Sequence, residues 1–237
     1  PVCNHPIDNP HLPPNGGHPS EGPPLFQGVH AYDETVHSGI GRLSLPHGGH
    51  GAGRHLPCIP PPDTKGGKPL MQTLSGRATN RSFTAKPLSD KLLGDLLWAA
   101  YGVNRPNGKR TIPTAQNRQD LEIYVLRSDG AWLYDAPKHS LEQVSSSDLR
   151  NFLAGQGFVR EAPVGLVYVT DTQKNSKELF AAMHTGSAYQ NVAVLRPVGL
   201  HNVVRASYDA EGLASALGLP KSKHILISQS IRMGRIE

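Results

Sequence analysis

The chain has 237 residues, 37% of them hydrophobic, a length that fits one domain of ordinary size with or without a tail. Its formal net charge of +5 suits an anionic ligand, but no Lys/Arg block or basic helix occurs, so we expect no nucleic-acid partner. No apolar run approaches the roughly 18 residues of a membrane helix, so no membrane partner is expected either. The chain opens with Pro1 rather than Met, which is compatible with a removed N-terminal piece and leaves the compartment open.

Residues 1–65 are predicted to form an irregular N-terminal extension, followed by a folded domain over 66–237. Pro and Gly recur through the extension, and neither a helical nor a strand period persists there. It holds eight of the twelve histidines and both cysteines: His5, His11, His18, His30, His37, His47, His50, His55, Cys3 and Cys58. Such histidines can bind zinc or copper, but a solvated tail of biased composition is favoured, so no metal site is predicted. The two cysteines permit one bridge at most, and whether they are bridged stays open.

The domain begins with a predicted short helix over 68–75 and a longer one over 88–103. In the longer helix Ser89 is a suitable N-cap, a leucine-rich stripe forms one face, and Gly102 is a plausible end. Residues 121–127 and 131–135 flank an Asp-Gly turn and predict a β-hairpin.

The second half of the domain alternates strands and helices. Helices are predicted over 146–155, 176–196 and 210–218, and strands over 164–170, 201–207 and 223–231. A hairpin combined with helices and further strands favours an α+β sandwich, with a core sheet and helices packed on it.

Two polar stretches are candidate binding sites. The first, GRATNRSF (76–83), places Arg77 and Arg81 around Thr79 and Asn80, and planar guanidinium groups match phosphate geometry. A solvated helix end would have the same composition, so this alternative stays open.

The second stretch, RTIPTAQNRQ (110–119), offers the amides of Asn117 and Gln119. Each amide can donate and accept, as the edge of a flat heterocycle requires. A loop whose amides satisfy its own backbone is an equally good interpretation.

Other catalytic motifs are absent from the sequence. It contains neither a G-x-x-x-x-G-K-[ST] phosphate loop nor a G-x-S-x-G nucleophile elbow, and no carboxylate pair stands out for acid–base chemistry. A cofactor that carries the chemistry itself would explain that absence.

The order of these pieces resembles the nitroreductase superfamily, closest to its SagB-type dehydrogenases. The likeness runs through GGKPLMQTLSGRATNRSF and the following residues (66–125), FVREAPVGLVYVTD (158–171), GSAYQNV (186–192), GLHNVVRAS (199–207) and HILISQS (224–230). The resemblance implies a nitroreductase-like α+β sandwich with a central, mainly antiparallel sheet flanked by helices. It also implies an intertwined homodimer with two FMN molecules at the subunit interface.

The resemblance also assigns expected FMN contacts residue by residue. The family's Arg-x-Ser-x-Arg stretch grips the phosphate and ribityl chain, and the matching residues are Arg77, Ala78, Thr79 and Arg81. The family's Pro-Ser-x-x-Asn-x-Gln loop meets the flavin ring, and the matching residues are Pro113, Thr114, Asn117 and Gln119. The remaining matches are Gln190 with Asn191 on the dimer helix, Arg205 with Ala206 near flavin N5, and Arg235 near the phosphate.

Two departures from the family pattern stand out. His184 occupies a position where Asp is frequent, and Arg232 one where a Gly usually follows the last strand.

The function implied is an FMN-dependent oxidoreductase that transfers hydride from NAD(P)H through flavin to a small-molecule acceptor such as a nitroaromatic or quinone. Two alternatives stay open: a SagB-type azoline dehydrogenase acting on modified peptides, and a non-catalytic flavin- or metal-binding protein.

Overall fold

In the computed structural model, residues 59–81, 86–155, 159, 161–195 and 199–234 are described. The predicted His-rich extension up to Cys58, with both cysteines, lies outside these residues, as does Arg235. The helices are α1 (Leu70–Gly76), α2 (Asp90–Tyr101), α3 (Glu178–Ala193) and α4 (Ala210–Ala216). The strands are β1 (Leu121–Arg127), β2 (Gly130–Asp135), β3 (Ser140–Ser145), β4 (Val164–Asp171), β5 (Leu200–Arg205) and β6 (Lys223–Met233).

The six strands form one antiparallel sheet in the order β3-β2-β1-β4-β6-β5. Side chains alternate between the two faces of each strand, so each central strand supplies two cores. On β1, Ile123 and Val125 join the cluster that contains α2 and α3, whereas Tyr124 and Leu126 join the cluster that contains α4. The predicted α+β fold with a flanked antiparallel sheet is confirmed.

Strand β4 lies at the centre of the sheet, and all eight of its residues are buried. Both of its faces are covered by helices, which explains why VGLVYVTD is a nearly continuous apolar run rather than an alternating one. The sheet is therefore a two-sided platform, and its edge strand β5 and the start of β1 are where the candidate site residues lie.

Local signals account for most element ends. The Ser89 side chain accepts a hydrogen bond from Leu92 N at the start of α2, and Gly102 follows its last residue. The β1–β2 hairpin turns at the predicted position.

Two predictions of secondary structure were inaccurate. The helix predicted over 146–155 is only a 3-10 turn, Arg150–Leu153. The side chains of Ser145 and Asp148 accept backbone N–H groups there, which competes with helix formation. Strand β3 was not predicted at all.

The last residues before 66 pack onto the domain. Ile59 is 5% exposed and belongs to the α2/α3-side core, and the Pro60 carbonyl accepts a hydrogen bond from His139 Nε2 at 3.1 Å. A Cβ on Gly94 of α2 would lie 2.7 Å from that carbonyl, so glycine at this position permits the close approach.

Candidate functional site

The arginine segment, Arg77–Arg81, runs in extended conformation from the end of α1 along the edge of the sheet. Its central Asn80 N–H donates to Asn202 O of β5 at 3.1 Å. The side chains of Arg77, Thr79 and Arg81 are exposed, and Ala78 is half-buried. The backbone is thus fixed to the sheet while two guanidinium groups and a hydroxyl face outwards.

Arg232 of β6 makes a second contact with this segment, through the side chain of Asn80. Its Nη2 donates to Asn80 Oδ1 at 3.3 Å and to His201 Nδ1 at 2.9 Å. Burial lowers the pKa of the Arg232 guanidinium, although a group with so high an ordinary value stays protonated. Arg232 therefore supports the arginine segment.

The amide loop, Pro113–Gln119, connects α2 to β1 and contains three non-glycine residues in the left-handed region. Their φ values are 53° for Gln116, 54° for Asn117 and 48° for Gln119. Such conformations persist only where surrounding contacts impose them, and they concentrate at functional sites. Here Thr114 supplies two of these contacts, because its carbonyl accepts from Asn117 N at 2.9 Å and its hydroxyl accepts from Gln119 N at 3.2 Å.

The two predicted amides play different parts in the loop. Gln119 Oε1 accepts from Arg110 Nε at 3.0 Å, and its Nε2 donates to Gly108 O and Asn117 Oδ1, both at 3.2 Å. The Gln119 amide is thus used by the loop itself. Asn117 is exposed, and its Nδ2 makes no hydrogen bond within the described part of the chain. Of these two amides, Asn117 therefore has the donor, Nδ2, that is left for a ligand.

Arg110 carries the positive charge beneath this loop. Its guanidinium lies 4.8 Å from the centre of the Tyr101 ring, a cation–π distance, and no ion pair joins it to another described residue. Burial is the main reason that the pKa of Tyr101 rises to about 12, so the phenol is neutral.

A buried polar cluster supports the loop from below. His184 of α3 accepts the Ala115 N–H through Nε2 at 2.8 Å, and its Nδ1 lies 2.6 Å from Asp120 Oδ1. Thr170 Oγ1 and Asn175 Nδ2 both donate to Asp120 Oδ2 at 2.9 Å. Sequence analysis missed Asp120. Its one local signal was a lone carboxylate immediately before an apolar strand.

An amide ladder connects the arginine segment to α3. Gln229 Oε1 accepts from Tyr168 OH at 2.6 Å, and Gln229 Nε2 donates to Asn202 Oδ1 at 2.9 Å and to Tyr189 O at 3.3 Å. Asn202 is the residue whose carbonyl holds Asn80. Helix α3 is therefore connected to both candidate stretches. His184 contacts the amide loop directly, and Tyr189 is connected to the arginine segment through Gln229 and Asn202.

The other predicted contacts lie elsewhere on this framework. Gln190 is exposed on α3, and Asn191 Nδ2 donates to Ala99 O, which joins α3 to α2. The Arg205 side chain is directed to the carbonyls of Leu153 and Ser207, at 2.7 and 2.9 Å, so it fixes the end of β5. Ala206 follows that strand end and is exposed. The backbone role expected for Arg205 and Ala206 stays a prediction.

Neither a cluster of metal-binding side chains nor a membrane-spanning helix occurs in the described ranges. They hold no group of three or more His, Cys, Asp or Glu side chains arranged for a metal ion. None of their helices is both long and apolar enough to cross a membrane.

Comparison with known proteins gives a consistent result. The family model described as the nitroreductase family matches residues 74–235. A nitroreductase-like protein of Methanocaldococcus jannaschii is 29% identical over 160 residues, covering 60% of this chain and 81% of the relative. A nitroreductase-like crystal structure from Ralstonia eutropha JMP134 is 34% identical, with a TM-score of 0.70 over 75% of this chain and 88% of that one. A third, from Desulfovibrio desulfuricans and in complex with FMN, shares the fold at 21% identity, with a TM-score of 0.53 over 71% and 88% of the two chains.

Proposed function

The chain belongs to the nitroreductase family of FMN-dependent oxidoreductases, and we propose that it oxidises NADH or NADPH and reduces a small organic acceptor such as a nitroaromatic or a quinone. The observation that carries this proposal is that two polar stretches with exposed outer groups are hydrogen-bonded to the same sheet and its helix α3. The arginine segment and the amide loop are each hydrogen-bonded to the sheet or to α3, while their outer groups stay exposed.

The arginine segment fits the phosphate end of FMN. Arg77 and Arg81 are exposed guanidinium groups on a fixed backbone, and the Thr79 hydroxyl lies between them in sequence. Charge-assisted hydrogen bonds from Arg to phosphate are among the stronger polar contacts that proteins make. These three residues would hold the phosphate and the adjoining chain, and the contact of Arg232 with Asn80 would keep the segment in place.

The amide loop fits the polar edge of the flavin ring. Asn117 Nδ2 is a donor without a partner among the described residues, and Pro113, at the start of the loop, is exposed. Gln119 and Thr114 would act indirectly, since their polar groups already hold the loop. When bound, FMN supplies the centre that accepts and gives up a hydride.

The chain's own contribution is positioning and electrostatics. A donor fixed before the reaction stabilises developing negative charge without reorganising, and a strained, fully anchored loop is suited to present such a donor. Arg110 adds a positive charge beneath the loop without a carboxylate to neutralise it within the described part of the chain.

A homodimer is the proposed assembly. Five large apolar side chains of α1 and α3 are between 43% and 75% exposed: Leu70, Met71, Leu74, Leu179 and Met183. Exposed apolar patches of this kind mark interaction surfaces in soluble proteins. A molar mass of twice 25.5 kDa in light scattering would support the dimer, and a monomer at all concentrations would contradict it.

The function is tested on the full chain with added FMN. We expect flavin absorption bands to remain with the protein after gel filtration, and anaerobic NADH or NADPH to bleach them. Re-oxidation by a nitroaromatic or a quinone, faster than by buffer alone, completes the test. A protein that retains FMN but is bleached by neither nicotinamide would contradict the proposed donor, and one that retains no FMN would contradict the cofactor assignment.

A further inference from the structure

We infer that His184 is a positioning residue, which with Asp120 holds the amide loop in the shape that receives FMN. This inference rests on the proposed function, because the proposed function assigns FMN as the ligand of the amide loop. It also assigns a role to a residue at which the chain departs from its family's frequent Asp.

Both ring nitrogens of His184 are already used by the protein. Nε2 accepts from Ala115 N at 2.8 Å, Nδ1 lies 2.6 Å from Asp120 Oδ1, and the residue is 5% exposed. A histidine with neither nitrogen free and almost no exposed surface is not available to exchange a proton with a substrate. His184 therefore acts through the loop and not on the reacting molecules.

The two contacts fix the tautomer. The Ala115 backbone N–H can only donate, so Nε2 must be the unprotonated nitrogen, and the ring proton lies on Nδ1, from where it is donated to Asp120. A carboxylate behind a histidine that sets the tautomer and orientation of the ring is a general device for presenting the other nitrogen.

Asp120 is suited to this part because it is held as a carboxylate. Burial alone would raise its pKa, but the hydrogen bonds that the carboxylate accepts, the strongest being those from Asn175 and Thr170, outweigh burial and lower it. The exposed fraction of Asp120 is 0%, and all three side-chain partners approach its oxygens as donors. The result is a fixed acceptor that orients the imidazole.

The Ala115 contact lies where the loop most needs a restraint. The residue is followed directly by Gln116 and Asn117, both in the left-handed region, and Asn117 carries the amide donor left for a ligand. An N–H that loses its acceptor at a partly buried position costs free energy until the backbone turns to find another. Loss of the His184 acceptor is therefore expected to shift the loop and the Asn117 donor with it.

Two substitutions separate this role from simple packing. In His184→Gln the side-chain amide has an N–H donor and an oxygen acceptor on one carbon, as the imidazole has its two nitrogens. The donor can then contact Asp120 and the acceptor Ala115, so both contacts can persist. In His184→Leu a side chain of similar bulk fills the space but accepts nothing. His224→Leu is the matched control, because His224 is exposed and its ring makes one hydrogen bond within the described part of the chain, to Lys221 O.

FMN affinity of the full chain, measured by quenching of flavin fluorescence, is the first readout. We expect His184→Leu to weaken binding about tenfold, the effect of roughly one hydrogen bond, while His184→Gln and His224→Leu stay within about threefold of the unchanged protein. Equal affinity in His184→Leu, or equal loss in the Gln and Leu variants when both are folded, would overturn the inference.

The second readout needs neither FMN nor a variant. Long-range ¹H–¹⁵N spectra of the histidine side chains report which ring nitrogen carries the proton, and amide exchange reports protection of Ala115. We expect an Nδ1–H tautomer for His184 and a protected Ala115 amide, and an Nε2–H tautomer would overturn the inference even if His184→Leu failed to fold. If the unchanged protein binds no FMN, the proposed function fails, while the tautomer and the exchange rate still decide whether His184 holds the loop.

Discussion

The phosphate grip assigned to the arginine segment makes a quantitative prediction about ligand choice. Arg77 and Arg81 are exposed, and neither side chain makes a hydrogen bond or an ion pair with another described residue. Truncation of either should therefore leave the free energy of unfolding of the apoprotein within about 0.5 kcal/mol. Each lost Arg–phosphate contact removes roughly 1.5–3 kcal/mol of binding free energy.

At 1.4 kcal/mol per factor of ten, Arg77→Ala and Arg81→Ala should each weaken FMN binding by about 10- to 100-fold. Riboflavin has the same ring and chain without the phosphate, so its affinity should be unchanged in both variants. The assay is fluorescence titration of the apoprotein with each flavin at fixed ionic strength. Arg127→Ala is the matched control, since it removes the same charge from the β1–β2 hairpin, where Arg127 Nε pairs with Asp129 at 3.0 Å.

The pattern of losses decides between mechanisms. Equal loss of FMN and riboflavin would mean that the arginines hold the loop or the fold and not the phosphate. An unchanged FMN affinity in both variants would place the phosphate elsewhere. A comparable loss of FMN affinity in Arg127→Ala would mean that the loss comes from the lower net charge alone, an effect that added salt would screen.

Two further predictions concern stability. Tyr168→Phe should lower the free energy of unfolding, measured by urea titration, by about 1–3 kcal/mol, because Gln229 Oε1 would lose its donor in a fully buried site. Tyr208→Phe is the control, and it should lower the free energy of unfolding less, because the Tyr208 hydroxyl is in a partly exposed site and lies 3.4 Å from Ile225 O. Burial lowers the pKa of His139 despite its hydrogen bond to Pro60. Below about pH 6.5 the unfolded chain therefore binds a proton at this histidine that the folded chain does not bind. The free energy of unfolding then decreases as the pH falls, until the pH reaches the pKa of His139 in the folded protein. His139→Asn, which tolerates the positive φ of 48°, should lack this part of the pH slope between pH 7.5 and 5.5, and parallel slopes would contradict the assignment.

The sequence predicted elements with strong local signals. Helix α2 has a capping serine, a leucine stripe and a terminal glycine, and β4 has a run of apolar residues long enough for a buried strand. Strand β3, SLEQVS, has only one buried apolar side chain, Leu141, to mark it, and its pairing with β2 decides its conformation. Where a strand is defined by its neighbour, local pattern is insufficient.

The candidate site also has a part that local sequence predicts and a part that it does not. The arginine segment and the amide loop are contiguous in sequence, so their composition and order indicated them. Asp120 contacts His184 and Thr170, which are 64 and 50 residues away, and no local pattern reports such a contact. The likeness to a family marked His184 only as a departure, and the structure supplies the partner that explains it.

The buried polar contacts beneath the loop are better understood as a source of geometry than of stability. Removing the Asp120 carboxylate and the polar groups that contact it from water costs free energy that these contacts only partly offset, and an apolar replacement of the whole cluster is frequently as stable. An apolar replacement would, however, leave Ala115 without an acceptor and the three left-handed residues without a restraint. Because Asp120 takes donors from three segments, displacement of any one of them is transmitted to the imidazole and then to the loop. It follows that removal of one member of this cluster should both lower the free energy of unfolding and weaken flavin binding, whereas substitutions in the apolar core should mainly lower the free energy of unfolding.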